Sequence, residues 1–329
     1  MTATPLRIGT RASALARTQT EWVADRLRRR GVPVEIDLIE TSGDRLSDTP
    51  IARIGGDGVF VRELERALLD RRIDAAVHSM KDMPTAETPG LVIAAVPVRA
   101  MPFDAFVGRL AATLAELPAG AIVGTSSIRR VAQLKAFRND LVVRPIRGNV
   151  DTRLRKLDAG ECDGLILAGA GLERLGLSSR ITEVLGPPRF WPAVAQGALA
   201  VQVREGDRAA LDAVAAISDE ETHRAVRAER ACLAALAGGC LAPIAGWARA
   251  DAAGLLMLDA CVFEEREQDI DCLHGSAVAR SANETPESLG RQVAHSLIER
   301  GAQAMIGRCR DRAAAPGVEP HDPTTRGGR

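Results

Sequence analysis

Short apolar strands and amphipathic helices alternate along the first two-thirds of the chain, and the alternation occurs twice. The first run predicts strands at 6–10, 34–40, 74–78 and 91–98 and helices at 13–29 and 60–72. The second run predicts strands at 121–124, 141–146, 164–168 and 198–203 and helices at 127–137, 150–159 and 171–175. This order predicts two α/β lobes, each with a mostly parallel sheet covered by helices on both faces. We expect extended segments near 98–104 and 188–198 to join the lobes around a hinged cleft.

The last third of the chain has a different pattern. It predicts a long helix at 219–237, antiparallel strands at 244–249, 255–263 and 271–279, and a closing helix at 286–308. The tail at 311–329 is rich in Pro, Gly, Arg and Asp and is expected to be disordered. The predicted fold class is α/β, with two doubly wound, periplasmic-binding-protein-like lobes and a small α+β C-terminal domain. The expected boundaries are 1–97 plus 198–216 for the first lobe, 98–197 for the second and 217–310 for the C-terminal domain.

Cationic side chains follow several of the predicted strands. Arg129 and Arg130 stand in the first turn of the helix after strand 121–124, at the end of a helix that favours anions and disfavours cations. Two guanidinium groups are favourable there if an anion binds beside them. The same placement after a strand recurs at Arg11, Lys81-Asp82 and Arg147. Ligands of such folds bind beyond the carboxyl ends of the strands, so the pattern predicts a site for a compound with several carboxylates or phosphates.

Charge and aromatic content exclude several classes of function. The chain has 43 basic and 43 acidic residues, only 3% aromatic residues and no Tyr, so we expect neither nucleic-acid binding nor binding to an acidic membrane. Arginine accounts for all but three of the basic residues. Because arginine is the usual cation of this chain, an arginine indicates a site only through its position.

The chain shows no pattern for export or membrane insertion. Its apolar runs are shorter than the about 20 residues of a membrane span, and its N-terminus enters a strand without a signal sequence. We therefore expect a cytoplasmic protein whose six cysteines are reduced thiols. The cysteines form no Cys-x-x-Cys pair, so we expect no metal site.

Some residues are candidates for chemistry by position alone. Cys240 follows Gly238-Gly239 on the loop after the long helix, although most free cysteines are simply small buried side chains. Asp82 stands at a strand end, where a carboxylate can move protons or stabilise a cation; the alternative is an acid in a surface turn. Arg147 and Arg153 flank the start of helix 150–159 and can pair with carboxylates, with solvated arginine as the alternative. The glycine-rich segment 55–58 is either a lid or a connection.

Several segments, taken in order, resemble the porphobilinogen deaminase (hydroxymethylbilane synthase) family. They are RIGTR at 7–11 with Ser13, VHSMKD at 77–82, GTSSIRR at 124–130, RGNV at 147–150, the segment 168–177, PAVAQG at 192–197, AERA at 228–231 and GGC at 238–240. The resemblance covers about residues 6–308 and excludes the tail. It implies a transferase that joins four porphobilinogens head to tail, with loss of ammonia, into the linear tetrapyrrole hydroxymethylbilane of haem and porphyrin biosynthesis.

The same resemblance implies roles for individual residues. Cys240 would hold a dipyrromethane cofactor through a thioether, and Asp82 would be the catalytic carboxylate that faces the pyrrole N–H groups. Further cofactor-binding residues are Ser13, Lys81, Asp82, Thr125, Ser127, Arg129, Arg130 and Gly148. Substrate-binding residues are Arg11, Arg147, Arg153, Arg174 and Gln196. The expected partner is porphobilinogen alone, for a monomer that requires no metal and no protein partner.

The chain departs from the family pattern at two places, and two other functions remain open. Residues 99–104 replace a more charged hinge, and Asp57 stands where a basic or small residue is common. One alternative is a non-enzymatic, two-lobed anion-binding protein, which has no use for Gly-Gly-Cys or a third domain. The other is a thiol-dependent acyl or sulfur transferase, which requires a base beside Cys240 that no His motif provides.

Overall fold

The first sheet brings together strands from both ends of the first 204 residues. A computed structural model describes residues 4–40, 61–237, 242–266 and 269–314. The strands of the first sheet are β1 (Leu6–Thr10), β2 (Val34–Leu38), β3 (Ala75–Ser79), β4 (Leu91–Ala95) and β10 (Leu199–Arg204). Their order is β2-β1-β3-β10-β4. Among the described residues, the helices that pack on this sheet are α1 (Ala14–Arg28), α2 (Arg62–Leu69) and α6 (Arg208–Ala215).

The second sheet repeats this arrangement within residues 104–185. Its strands are β5 (Asp104–Gly108), β6 (Ile122–Gly124), β7 (Val142–Arg144), β8 (Gly164–Ala168) and β9 (Glu183–Leu185). Their order is β7-β6-β8-β5-β9. The helices of this lobe are α3 (Ile128–Phe137), α4 (Val150–Asp158) and α5 (Gly169–Arg174).

Both sheets are mixed, but in each of them four of the five strands run in the same direction, so the expectation of mostly parallel sheets holds except for one reversed strand in each. In each sheet two strand pairings are parallel and two are antiparallel. The antiparallel strands are β10 and β5. Each of them follows a crossover between the lobes: the first crossover is 96–103 and the second is 186–198. A parallel neighbour requires a return connection within one lobe, whereas a strand that arrives from the other lobe can enter antiparallel.

The C-terminal part is a three-stranded antiparallel sheet with helices on one face. Its elements are α7 (Glu220–Ala235), β11 (Ile244–Ala250), β12 (Leu256–Arg266), β13 (Asp269–Val278), α8 (Pro286–Glu299) and α9 (Ala302–Ala314). The strand order is β11-β12-β13. Buried Leu258, Leu289 and Leu297 belong to the core between sheet and helices. No helix in the described part of the chain is both long and apolar enough to cross a membrane.

The predicted closing helix at 286–308 is in fact two helices. Gly301 lies between them with a φ of +96°, a left-handed conformation that ends α8. The second helix, α9, continues to Ala314, so the first four residues of the predicted tail are helical. Residues 315–329 lie outside the described residues.

A buried carboxylate joins the C-terminal part to both crossovers. Glu229 of α7 is fully buried and accepts hydrogen bonds from Nη1 and Nη2 of Arg99 in the first crossover, at 2.6 and 3.2 Å. It also accepts the backbone N–H of Ala195 in the second crossover at 2.5 Å and that of Ala248 in β11 at 2.9 Å. The hydrogen bonds of this one side chain therefore connect the C-terminal part to both crossovers, at the place where the three parts of the molecule meet.

Candidate active site

In the first lobe, the predicted site residues lie just beyond two strand ends. Arg11 directly follows β1, and the hydroxyl of Ser13 caps α1 by accepting the backbone N–H of Ala16 at 3.3 Å. Lys81 and Asp82 belong to a single 3-10 turn, Met80–Asp82, that directly follows β3. Because β1 and β3 are parallel neighbours, these strand ends lie at the same edge of the sheet.

The turn after β3 leaves Asp82 available to a ligand. Its side chain is half-buried, and within the described part of the chain its carboxylate accepts no hydrogen bond. Enclosure in the cleft lowers the pKa of the neighbouring Lys81 to about 8, while the charge of Asp82 opposes this shift. The charges of Arg130 and Arg129 also lower the pKa of Lys81, which places the turn close to the second lobe across the cleft.

In the second lobe, the segment between β6 and α3 contributes two predicted site residues, and the first turn of α3 contributes two more. Thr125 is buried, and its hydroxyl accepts the backbone N–H of Ser127 at 3.3 Å. Ser127 is the N-cap residue of α3, but its hydroxyl does not bond to the helix. Arg129 and Arg130 follow in the first helical turn, and both are buried, with exposures of 4% and 7%. The helix therefore presents its positive end and two guanidinium groups together.

Asp104 supplies an anion to both of these arginines, although no sequence pattern marks it as a site residue. Its carboxylate lies 2.8 Å from Nη1 of Arg129 and 2.8 Å from Nη2 of Arg130. Burial alone raises the pKa of a carboxyl group, but the two guanidinium groups hold the pKa of Asp104 below its usual range. The chain itself therefore supplies part of the negative charge that the two arginines require. Two adjacent cations at a helix N-terminus were the only sequence signal for such a partner.

The loop after β7 brings a glycine and two arginines to the same cleft. Gly148 has a φ of +104°, and a Cβ atom at this position would lie 2.7 Å from the side chain of Thr152. Its carbonyl accepts a hydrogen bond from Nε of Arg153 at 2.8 Å. Burial, together with the charges of Arg130 and Arg147, lowers the pKa of Arg153 to about 10. These mutual effects show that the three guanidinium groups converge.

Arg174 and Gln196 lie where the second crossover passes the cleft. Nη2 of Arg174 donates to the carbonyl of Gly197 at 2.7 Å, and burial lowers the pKa of Arg174 to about 10. Gln196 is buried and donates from Nε2 to the carbonyl of Pro102 at 2.7 Å and to Asp104 at 3.0 Å. Gln196 therefore ties the second crossover to the first.

Three predicted features lie outside the described residues. They are Cys240 with its glycine pair, the glycine-rich segment 55–58, and the atypical Asp57 within that segment. Helix α7, which leads to Cys240, ends at Ala235. The atypical segment 99–104 is described, and its polar side chains Arg99 and Asp104 make the buried contacts given above.

The charge distribution of the cleft fits a group with several carboxylates. Burial lowers the pKa of Lys81, Arg129, Arg153 and Arg174, which means that burial disfavours each of these cations in its present surroundings. A ligand that brings carboxylates would reverse this effect and would bind with charge-assisted hydrogen bonds. A dipyrromethane with an acetate and a propionate on each pyrrole has this property, so the residues present fit such a cofactor.

Comparison with known proteins agrees with this chemistry. Residues 6–212 match the model of the porphobilinogen deaminase, dipyrromethane cofactor binding domain, and residues 223–299 match the model of the porphobilinogen deaminase C-terminal domain. The porphobilinogen deaminase of Acidothermus cellulolyticus is 48% identical, over 97% of this chain and 94% of that protein. That of Desulforudis audaxviator is 46% identical, over 92% of this chain and 97% of that protein.

Among solved structures, a nutrient binding protein from Burkholderia cenocepacia bound to methionine is similar at a TM-score of 0.40 and 12% identity, over 64% of this chain and 89% of that chain. The family models and the sequence relatives cover nearly all of the described residues. The chain belongs to the porphobilinogen deaminase family.

Proposed function

We propose the residues through which this chain carries out the activity of its family, porphobilinogen deamination in tetrapyrrole biosynthesis with a dipyrromethane cofactor. The observation that carries the proposal is the position of Asp82. It is a half-buried carboxylate without a hydrogen bond in the described part of the chain, beside a group of cations that burial disfavours. The substrate is porphobilinogen, four copies of which are joined head to tail into hydroxymethylbilane.

Cys240 is the proposed attachment point of the cofactor through a thioether. When bound there, the dipyrromethane supplies the free pyrrole position to which each substrate is added. The residues proposed to bind its carboxylates and pyrrole N–H groups are Ser13, Lys81, Asp82, Thr125, Ser127, Arg129, Arg130 and Gly148. Tethering keeps the chain end at one place, so that each addition becomes nearly intramolecular.

Asp82 is the proposed catalytic residue. Loss of ammonia from a porphobilinogen leaves a cation, and a carboxylate that already lies in the cleft stabilises that charge without having to reorganise. The same carboxylate can accept the N–H of a pyrrole and hold it for reaction. No described residue donates a hydrogen bond to Asp82, so within the described part of the chain its carboxylate is available for this role.

The remaining cations are proposed to bind the acetate and propionate groups of the substrate and the growing chain. They are Arg11, Arg147, Arg153 and Arg174, with Gln196 at the crossover. Since carboxylates raise the pKa of a neighbouring amine, binding should also keep Lys81 protonated above pH 8, where the chain alone loses this charge. Affinity for a polycarboxylate should accordingly weaken as pH rises through about 8.

We also propose the division of the chain and its setting in the cell. The first lobe comprises 1–97 plus 198–216, the second lobe 98–197, and the cofactor-anchoring domain 217–310. The free thiols of Cys162, Cys232, Cys261, Cys272 and Cys309 support a cytoplasmic location. The protein acts there as a monomer with porphobilinogen as its only required partner.

Intact-mass measurement tests the proposed attachment at Cys240. The purified protein should exceed its sequence mass by two linked pyrrole units, and C240S should lack this excess. The matched control is C272S, because Cys272 is an exposed free thiol of the same C-terminal part and should not affect the adduct. An adduct that persists in C240S, or a wild-type protein that stays unmodified after incubation with porphobilinogen, would contradict the assignment.

A further inference from the structure

A side chain of α7 binds the backbone directly after the turn that carries Lys81 and Asp82. Arg230 donates from Nη2 to the carbonyl oxygen of Pro84 at 2.7 Å and from Nη1 to that of Met83 at 3.3 Å. Met83 and Pro84 are the two residues that follow Asp82 in the chain. The C-terminal part of the molecule therefore binds the first lobe at the point where the backbone leaves the turn.

Apolar packing on the same face of α7 supports this contact. Val226 is buried in one cluster with Met80 and Met83, the residues on either side of Lys81 and Asp82. Leu233 packs against the same cluster. Positions 226, 230 and 233 share one face of a helix, because residues three and four apart are neighbours on its surface. Thus this face of α7 packs into the same apolar cluster as the two methionines that flank Lys81 and Asp82, and it also donates hydrogen bonds to the backbone after the turn.

The position of Arg230 is not explained by an ion pair on the surface. Its side chain is half-buried and burial lowers its pKa, an effect that the nearby charge of Glu87 opposes. Within the described part of the chain, its guanidinium group donates hydrogen bonds to main-chain carbonyls of the first lobe. The rigid fork of a guanidinium fixes the direction of two such bonds at once, which a flexible amine cannot do.

We propose that Arg230 is a positioning residue that fixes the Asp82 carboxylate relative to the end of α7. This inference rests on the roles proposed above for Asp82 and Cys240. Helix α7 ends at Ala235, five residues before Cys240, so the same helix leads to the attachment point and holds the catalytic turn. Because a displacement of about 1 Å can cost about 100-fold in rate, such a connection should affect turnover more than substrate binding.

The first test compares R230Q and R230K with the wild-type holoenzyme. R230Q should keep the cofactor adduct by intact mass and should lose about tenfold in kcat, with KM within about twofold. R230K should lie between the two, because an ammonium can replace only part of the fork. The matched control is R227Q, since Arg227 lies three residues earlier on α7 and pairs with Glu287 within the C-terminal part. R227Q should retain the wild-type kcat.

A double-mutant cycle with D82N separates positioning from a general structural role. If Arg230 acts through Asp82, R230Q should reduce the residual turnover of D82N by much less than it reduces that of the wild type. An equal fold-loss in both backgrounds, or an adduct-bearing R230Q with wild-type kcat, overturns the inference. If R230Q does not fold, the same cycle is measured with R230K. Wild-type turnover in D82N defeats the proposed role of Asp82 itself, and then Arg230 has no catalytic group to position.

Discussion

Asp104 determines how the two arginines at the start of α3 are presented to a ligand. Arg129 and Arg130 both pair with this carboxylate, and Arg130 also donates to the carbonyl of Ile166 at 3.0 Å. Their guanidinium groups are therefore held in place before a ligand arrives. Catalytic and binding groups that are fixed in advance need not reorganise during the reaction. The buried carboxylate of Asp104 thus acts together with the carboxylates of a ligand and does not replace them.

Replacement of Asp104 by Asn should be strongly destabilising. D104N keeps a side chain of the same size but leaves two buried guanidinium groups without their counter-charge. We expect a loss of about 3 kcal/mol in the free energy of unfolding, measured by chemical denaturation, together with impaired cofactor loading by intact mass. The control is D158N, because Asp158 pairs with Arg180 at 2.6 Å at the surface of the same lobe. D158N should cost less than about 1 kcal/mol.

Equal stability of D104N and D158N would contradict this role for Asp104. The pH range of the contribution follows from its lowered pKa. In the unfolded chain Asp104 titrates near pH 4, so its contribution is complete above that value. The contribution is lost only as the pH falls through the lower pKa of the folded state, so it should be constant across the neutral range.

Among the helices and strands, local patterns predicted some elements to the residue and missed others. The strands at 6–10 and 164–168 are confirmed at both ends, and Ser127 precedes α3 as predicted. The pattern missed β5, β9 and α6. Strand β5 begins with Asp104 directly after the first crossover, and its strand partners come about 60 and 80 residues later. Such non-local pairing, more than the composition of the segment, decides that it is a strand.

The residues of the candidate site also fall into two groups, those that local sequence features indicate and those that they do not. Strand ends and helix starts are local features, so Lys81, Asp82 and Arg129 could be assigned to the cleft from sequence. The partners that hold them in place come from distant segments. Arg230 is more than 140 residues from Met83 and Pro84, and nothing in the sequence around it indicates these acceptors.

Gly148, just before α4, should be required for two reasons: its left-handed backbone conformation and the lack of room for a side chain beside Thr152. G148A places an alanine at a φ of +104° and its Cβ 2.7 Å from Thr152. We expect a loss of about 2 kcal/mol in unfolding free energy. The control is G160A in the same lobe, because Gly160 has a φ of +80° but no atom within 4 Å of the added carbon. G160A should cost about 1 kcal/mol, and the double variant G148A/T152S should recover part of the difference. Equal losses in G148A and G160A would show that contact with Thr152 is unimportant.

At the scale of the whole molecule, the three parts meet at one buried ion pair. Glu229 is inaccessible and Arg99 nearly so, with side-chain exposures of 0% and 10%. Because Glu229 also accepts main-chain N–H groups from the second crossover and from β11, it fixes the C-terminal part to both connections between the lobes.

Replacement of Glu229 by Gln should weaken the whole assembly. E229Q leaves the guanidinium of Arg99 buried without a counter-charge, and we expect it to cost about 3 kcal/mol. In a thermal scan this corresponds to a decrease of roughly 5 °C or more in the unfolding midpoint. E287Q is the control, since Glu287 pairs with Arg227 in an exposed contact of the same C-terminal part. If the midpoint of E229Q equals that of E287Q, the buried pair does not join the three parts.

The position of β10 has a consequence for the order of events during synthesis. This strand lies between β3 and β4, yet it is synthesised only after every strand of the second lobe. Until residue 204 emerges, β4 has no hydrogen-bonded neighbour and the N-terminal sheet is incomplete. The inserted lobe, with all its strands between 104 and 185, can close first. We therefore expect the nascent chain to reverse the usual N-terminal-first sequence of domain folding.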